Sequence, residues 1–163
     1  MSLFICDIVI IVYFTDTLID DDDMEDCIFC KIADGTLSAR IIVQNDKAIA
    51  LLDAFPLSNG HALVIPKSHY SKVQDMDKMT LYAVFDLLYK ITAAVENAAG
   101  ANASTIAIHN GKEAGQEIPH VHVHVIPRTV GDGAGPVHSM FKGRPRLSSR
   151  DFDLILQRVK RML

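Results

Sequence analysis

Residues 120–128 read HVHVHVIPR, and no other stretch of the chain restricts its fold so closely. Valine favours strands, and the alternation has period two. Neighbouring side chains of a strand point to opposite faces, so His120, His122 and His124 share one face and Val121, Val123 and Val125 the other. The Cα atoms that carry successive rings then lie roughly 6.5–7 Å apart. A helix would scatter these residues around its circumference. The valines are expected to enter a core, and Pro127 to end the strand. A buried imidazole needs a hydrogen-bond partner. Three on one face therefore point to chemistry: either a metal site, since an H-x-H pair on a strand holds zinc, or a nitrogen nucleophile with helpers. A neutral imidazole has an ordinary pKa of about 6.5 and, unlike serine, needs no base to activate it.

The rest of the chain supplies partners for that strand. RIIVQ (40–44) and AIALLD (48–53) read as strands joined by a turn at Asn45-Asp46. HALVIP (61–66) is a third strand, entered through Asn59-Gly60 and closed by Pro66. STIAIHN (104–110) is a fourth, followed by the loop GKEAGQEIP. Leu81, Val84, Phe85, Leu88, Ile91 and Val95 recur at three- and four-residue steps, which predicts a long helix over about 71–99 with Asp86 and Lys90 on its wet side and Gly100 as its cap. CIFCKIADG reads as a short N-terminal helix or turn stopped at Gly35. The segment from Thr129 to Arg146 is glycine-bearing loop. Ser149 is placed to cap a last helix, 150–162, with Phe152, Ile155, Val159 and Met162 along one side. The expected class is α+β: a five-stranded antiparallel sheet with helices packed on it.

Bulk properties narrow the partners. At 163 residues and 49% hydrophobic content the chain is long enough for one cored domain. A net charge of −4 argues against a nucleic-acid polymer or an anionic membrane as the main partner. Three cysteines, Cys6, Cys27 and Cys30, do not make a secreted disulfide scaffold, and the expected location is the cytoplasm. Cys27 and Cys30 form a C-x2-C pair, open between zinc ligation and redox chemistry. Residues 1–23 look foreign to the rest. LFICDIVIIVYF is interrupted by Asp7 and too short to span a bilayer, and no Lys or Arg precedes Lys31, so a secretory signal's charged start is missing. The expectation is a 1–23 extension, with Met24 as the start of a 24–163 domain; an added edge strand over Ile8 to Tyr13 is the alternative.

HVHVHVI matches His-φ-His-φ-His-φ-φ, φ being apolar, and on it the chain resembles the histidine triad (HIT) superfamily. CIFCKIADGTLSARII, DKAIALLDAFPLSNGHALVIPKSH and HNGKEAGQEIPHVHVHVIPR each resemble segments of its Hint-like branch, in the same order, from about Cys27 to Arg128. The resemblance implies a HIT-like fold. It also implies a nucleotide hydrolase or transferase that attacks the α-phosphate of adenosine 5′-phosphoramidates, AMP conjugates or, in some branches, dinucleoside polyphosphates. The middle histidine, here His122, would be the nucleophile and form a covalent nucleotidyl-histidine, with no metal required for catalysis. His124 would donate to a phosphate oxygen, and His61 would lie beside the triad. By the same resemblance Asn110 would contact phosphate or ribose, Gln116 would reach the scissile bridge, and Asp53 would accept from the ribose hydroxyls. Ile28, Phe29, Ile32, Leu51 and Leu52 would line the base pocket. The Gly115-Gln116 turn offers backbone N–H groups to phosphate oxygens. Glu117 stands where many Hint-branch members carry Ser, which bears on the leaving group.

Some microbial relatives hold a structural zinc with a C-x2-C pair, the His of IPKxH and the first triad His. The resemblance thus implies a zinc set of Cys27, Cys30, His69 and His120, which suits closed tetrahedral zinc. It also implies a purine nucleotide as ligand and a homodimer. His109 and His138 receive no role. Two other classes stay open: a zinc hydrolase whose triad holds a catalytic metal, and a nucleotide-binding scaffold.

Overall fold

A computed structural model describes residues 26–140, 142–143 and 145–163. The expectations for residues 1–23 and Met24 lie outside the described residues. The chain forms two compact units, one running to Thr129 and a second spanning Val130–Leu163.

The first unit is the expected five-stranded antiparallel sheet with its helices. β1 (Ile41–Gln44), β2 (Ala48–Leu52), β3 (Ala62–Pro66), β4 (Ala103–Ala107) and β5 (Val123–Arg128) are arranged in the order β1-β2-β3-β5-β4. Asn45 makes the first turn: its side-chain oxygen accepts from the Lys47 and Ala48 amides at 3.0 and 2.7 Å. The period of two then sorts the central strands onto two faces. Ala48, Ala50, Ala62, Val64, Val121, Val123 and Val125 pack with helix α2 (Lys78–Ala99). Ile49, Leu51, Leu63 and Ile65 pack on the other face with Cys27, Phe29 and Ile32 around helix α1 (Ile28–Ala33). Burial on both faces accounts for continuous apolar runs where a half-exposed strand would alternate. The valines of the histidine row enter the α2 core as expected, which leaves the histidines to the α1 side.

Several details of the elements differ from the sequence reading. Helix α2 begins at Lys78 rather than 71, because Asp77 caps it: one carboxylate oxygen accepts from the Met79 and Thr80 amides, at 2.9 and 3.0 Å. Its buried face carries Leu87, while Phe85 is 43% exposed. β5 starts at Val123, not His120, and continues through Pro127 to Arg128. The Val121 amide donates instead to the Tyr70 carbonyl. Pairing with β3 ends at Val125, so Pro127 lies where β5 has a single neighbour, a setting that tolerates a missing N–H. In the second unit helix α3 (Ser149–Met162) is capped by Ser148, not Ser149, in a reciprocal capping box with Asp151.

Gly60 turns the chain into β3 with φ +80°, and a Cβ there would stand 3.1 Å from that of Ala99. Close approach and positive φ both require glycine at this position. Among the described residues no helix is long and apolar enough to cross a membrane.

Candidate active site and metal cluster

His61, just before β3, and His122 and His124 come together on the α1 side of the sheet. They line a cavity of about 400 Å³. β3 places Leu63 directly opposite His124, and β4 flanks the same residue with Ala107. Ile28, Phe29, Ile32, Leu51, Leu52, Asp53, Gly115 and Glu117 all line this cavity. Phe29 forms part of its floor, 5.2 Å from the His122 ring and 5.6 Å from the His120 ring.

Hydrogen bonds fix which nitrogen of each ring carries the proton, because a carbonyl can only accept and an amide can only donate. His122 Nδ1–H donates to the carbonyl of His120 at 2.7 Å. Its Nε2 therefore keeps a lone pair, on a ring that lines the cavity. The Leu57 amide donates to His61 Nδ1 at 3.2 Å, so the His61 proton sits on Nε2 and is given to His124 Nδ1 at 3.0 Å. His124 must then hold its own proton on Nε2, which is buried without a partner among the described residues. A buried, unsatisfied donor is costly, and an anionic oxygen in the cavity would satisfy it.

The electrostatics agree with neutral rings. Burial pushes the pKa of His61 and His122 below the ordinary imidazole value, and that of His124 down to about 4, with neighbouring histidines adding to the His124 shift. Asp53 Oδ2 also stands 3.3 Å from His61 Nδ1, a contact that would become an ion pair if His61 were protonated. With burial opposing that charge and the Leu57 amide already on Nδ1, His61 is neutral.

His120 belongs to a second cluster. Its Nε2–H donates to the Pro66 carbonyl at 3.0 Å, which turns the Nδ1 lone pair toward Cys27 Sγ at 3.4 Å and Cys30 Sγ at 3.6 Å. His69 Nδ1 lies 3.4 Å from Cys30 Sγ. The four ligand atoms all fall within 4.8 Å of one another. Tetrahedral zinc, with bonds of about 2.3 Å to sulfur and about 2.0–2.1 Å to nitrogen, sets sulfur–nitrogen edges of about 3.5 Å. The spacing therefore fits a closed Cys2His2 site. Burial, with the neighbouring Cys27, pushes the Cys30 thiol up to about 12; a bound cation would reverse that shift.

The side chains of Asn110 and Gln116 and the Gly115-Gln116 amides are hydrogen-bonded within the protein. Asn110 does not line the cavity: it accepts from the Val73 amide at 2.9 Å and donates to Gln74 at 3.0 Å. Gln116 is spent on the loop, accepting from the Gly111 amide and donating to the Ser71 carbonyl, both at 2.9 Å. Nor are the amides of Gly115 and Gln116 free for phosphate, since they donate to the Lys112 and Gly111 carbonyls. Backbone groups need partners: Asn110 and Gln116 supply them to the segment before α2, at Val73 and Ser71, while the loop's own carbonyls take the Gly115 and Gln116 amides. The structure adds His109, which lines the cavity with its ring 5.6 Å from that of His124. Strand alternation through STIAIHN was the available signal, because Ile108 packs with the α2 core and turns His109 to the histidine side.

A family model described as HIT domain matches residues 35–131. An uncharacterized HIT-like protein of Methanocaldococcus jannaschii is 41% identical over 66% of this chain and 82% of its own length. The adenylylsulfatase HINT3 of Arabidopsis thaliana is 37% identical over 63% of this chain, which spans about half (52%) of that relative. The adenosine 5′-monophosphoramidase hnt1 of Schizosaccharomyces pombe is 36% identical over 63% of this chain and 74% of its own. Among solved structures, a HIT family protein from Bacillus subtilis superposes with a TM-score of 0.74 at 30% identity, over 85% of this chain and 97% of that one. A zinc-bound histidine triad family protein from Mycobacterium smegmatis gives 0.62 at 34% identity, over 67% and 79%.

Proposed function

The chain belongs to the HIT family, and on that premise we propose that it hydrolyses the P–N or P–O bond between the α-phosphate of an adenosine nucleotide and an amine or carboxylate leaving group. The observation that carries this reading is the bond from His122 Nδ1–H to the His120 carbonyl, which leaves Nε2 as a nucleophile. The Nε2 lone pair forms a bond to phosphorus and the bond to the leaving group breaks. The departing amine takes a proton, a role we assign to Glu117 on the cavity wall. Water then adds to phosphorus, gives its proton to the Glu117 carboxylate, and the N–P bond breaks to return the electron pair to Nε2. His124 Nε2–H, lacking a partner among the described residues, serves the phosphate oxygens. Asp53 serves the ribose, and Ile28, Phe29, Ile32, Leu51 and Leu52 hold the base.

Cys27, Cys30, His69 and His120 would hold one zinc ion. It would tie α1, the segment after β3 and the approach to β5 together, a structural role apart from the nucleophile. The protein is taken to act as a homodimer, supported by an exposed strip of Tyr82, Phe85 and Tyr89 on α2.

The test is AMP release from adenosine 5′-phosphoramidate by metal-replete and metal-stripped protein, with circular dichroism to show that the stripped sample is folded. A folded, stripped protein that keeps its rate supports His122 as nucleophile. Loss of the rate, with recovery on adding zinc, would overturn the mechanism. A panel including adenosine 5′-phosphosulfate and a dinucleoside polyphosphate fixes the leaving group.

A further inference from the structure

The net charge of −4 hides a division along the chain. Residues 142–161 hold seven Lys and Arg against two Asp, a net +5, while the other 143 residues hold nine bases against eighteen acids, a net −9. Helix α3 makes up most of the basic part, and each of its residues is exposed.

The same helix is sharply two-sided. At 3.6 residues per turn, Phe152, Ile155, Leu156, Val159 and Met162 fall within an arc of about 120°. Phe152 is 60% exposed and Val159 48%, so the described residues leave this stripe uncovered. Arg158 stands at one border of the stripe, next to Met162, and Lys160 at the other, next to Leu156. Arg150 and Arg161 take the opposite side, which Leu154 alone interrupts with an apolar side chain. None of these four bases forms an ion pair with a described residue. Of the two acids, Asp151 is held in the capping box with Ser148.

We propose that α3 binds the surface of an anionic phospholipid bilayer, lying in its plane with the stripe against the acyl chains and the bases at the phosphates. High charge, low overall hydrophobicity and one apolar face are the signature of a helix held at such an interface. The stems of Arg158 and Lys160 rest along the borders of the stripe, where their charged heads reach the headgroups. A nucleic acid would satisfy the bases and leave the stripe in water. A second α3 would cover the stripe and double the positive charge at one interface. The acidic remainder of the chain is repelled by the same lipid surface, so α3 is the contact. The proposal is independent of the nucleotidyl-transfer reading.

The chain has no tryptophan, so one substituted into α3 reports its own surroundings. Vesicles of phosphatidylcholine with about one-third phosphatidylglycerol are expected to shift the emission of full-length Phe152→Trp to the blue, and to leave that of Gln157→Trp, on the opposite side, unshifted. In cosedimentation the unsubstituted chain should bind those vesicles roughly tenfold or more tighter than phosphatidylcholine alone. That binding should weaken about tenfold on raising salt from about 0.05 to about 0.5 M. Phe152→Ala with Ile155→Ala, and separately Arg158→Gln with Lys160→Gln, should each weaken it about tenfold, with circular dichroism to show that helix content is kept. Should either pair lose helix, the two tryptophan positions decide. Equal binding to both kinds of vesicle, binding to neither, or equal shifts at the two tryptophan positions would overturn the proposal. A blue shift in Phe152→Trp that grows with protein concentration in the absence of vesicles, with sedimentation showing association, would give the stripe to a second copy and overturn it as well.

Discussion

His61 Nε2 and His124 Nδ1 face each other at 3.0 Å, with the two rings nearly parallel at 25°. One proton lies between them; a second proton on His124 would remove the acceptor of this bond, and one on His61 would displace the Leu57 amide from its Nδ1. Burial holds His61 below its ordinary value and His124 at about 4. The free imidazole value is about 6.5. Between those values the unfolded chain binds more protons than the folded chain, so stability rises with pH across that window and falls as pH drops from about 6.5 toward 4. Melting temperature measured across that range should fall steadily on acidification. In a His61→Phe, His124→Phe double variant the dependence should flatten. An equally steep fall in the double variant would locate the sensitivity elsewhere.

The bond from His122 to the His120 carbonyl predicts a loss of turnover specific to one nitrogen. His122→Ala should reduce AMP release by roughly 10⁴-fold or more, the scale seen when a covalent nucleophile is removed. His122→Gly should regain part of the rate on adding free imidazole. Mass spectrometry of the wild type quenched during turnover should find one AMP per active chain, absent from both variants. A wild-type burst without any adduct would count against covalent catalysis.

Zinc analysis of protein purified without chelator should find about one ion per chain, and Cys30→Ser should reduce it. Stripping the metal should lower the melting temperature by roughly 10 °C, because binding to the folded state alone adds stability by mass action. An unchanged melting temperature on complete stripping would argue for free thiols.

Phe29 is buried between the two histidine clusters, edge-on to His120 and tilted against His122. Phe29→Ala should cost about 3–5 kcal/mol of stability, the usual range for a buried aromatic, read from urea unfolding. It should also raise KM for the nucleotide by opening the cavity floor. A destabilised variant with an unaltered KM would confine Phe29 to the core.

The sequence alone determined the strands, the class of fold and which residues share a face, because those follow from local periodicity. HVHVHV places the valines and histidines on opposite faces wherever the strand lies, and the spacing of Val84, Leu88, Ile91 and Val95 marks the buried side of α2. The same local reasoning missed Leu87 and the Asp77 cap, which depend on what the helix meets. Only the tertiary structure decided which nitrogens carry protons, because the partners are distant in the chain: Pro66 for His120 and Leu57 for His61. It brought Cys27 to His120 across 93 positions. It tied Asn110 to Val73 and Gln74 and Gln116 to Ser71, all in the segment before α2, and it put His109 beside His124. Periodicity fixes the face a side chain occupies; only the packed neighbours fix what that side chain is free to do.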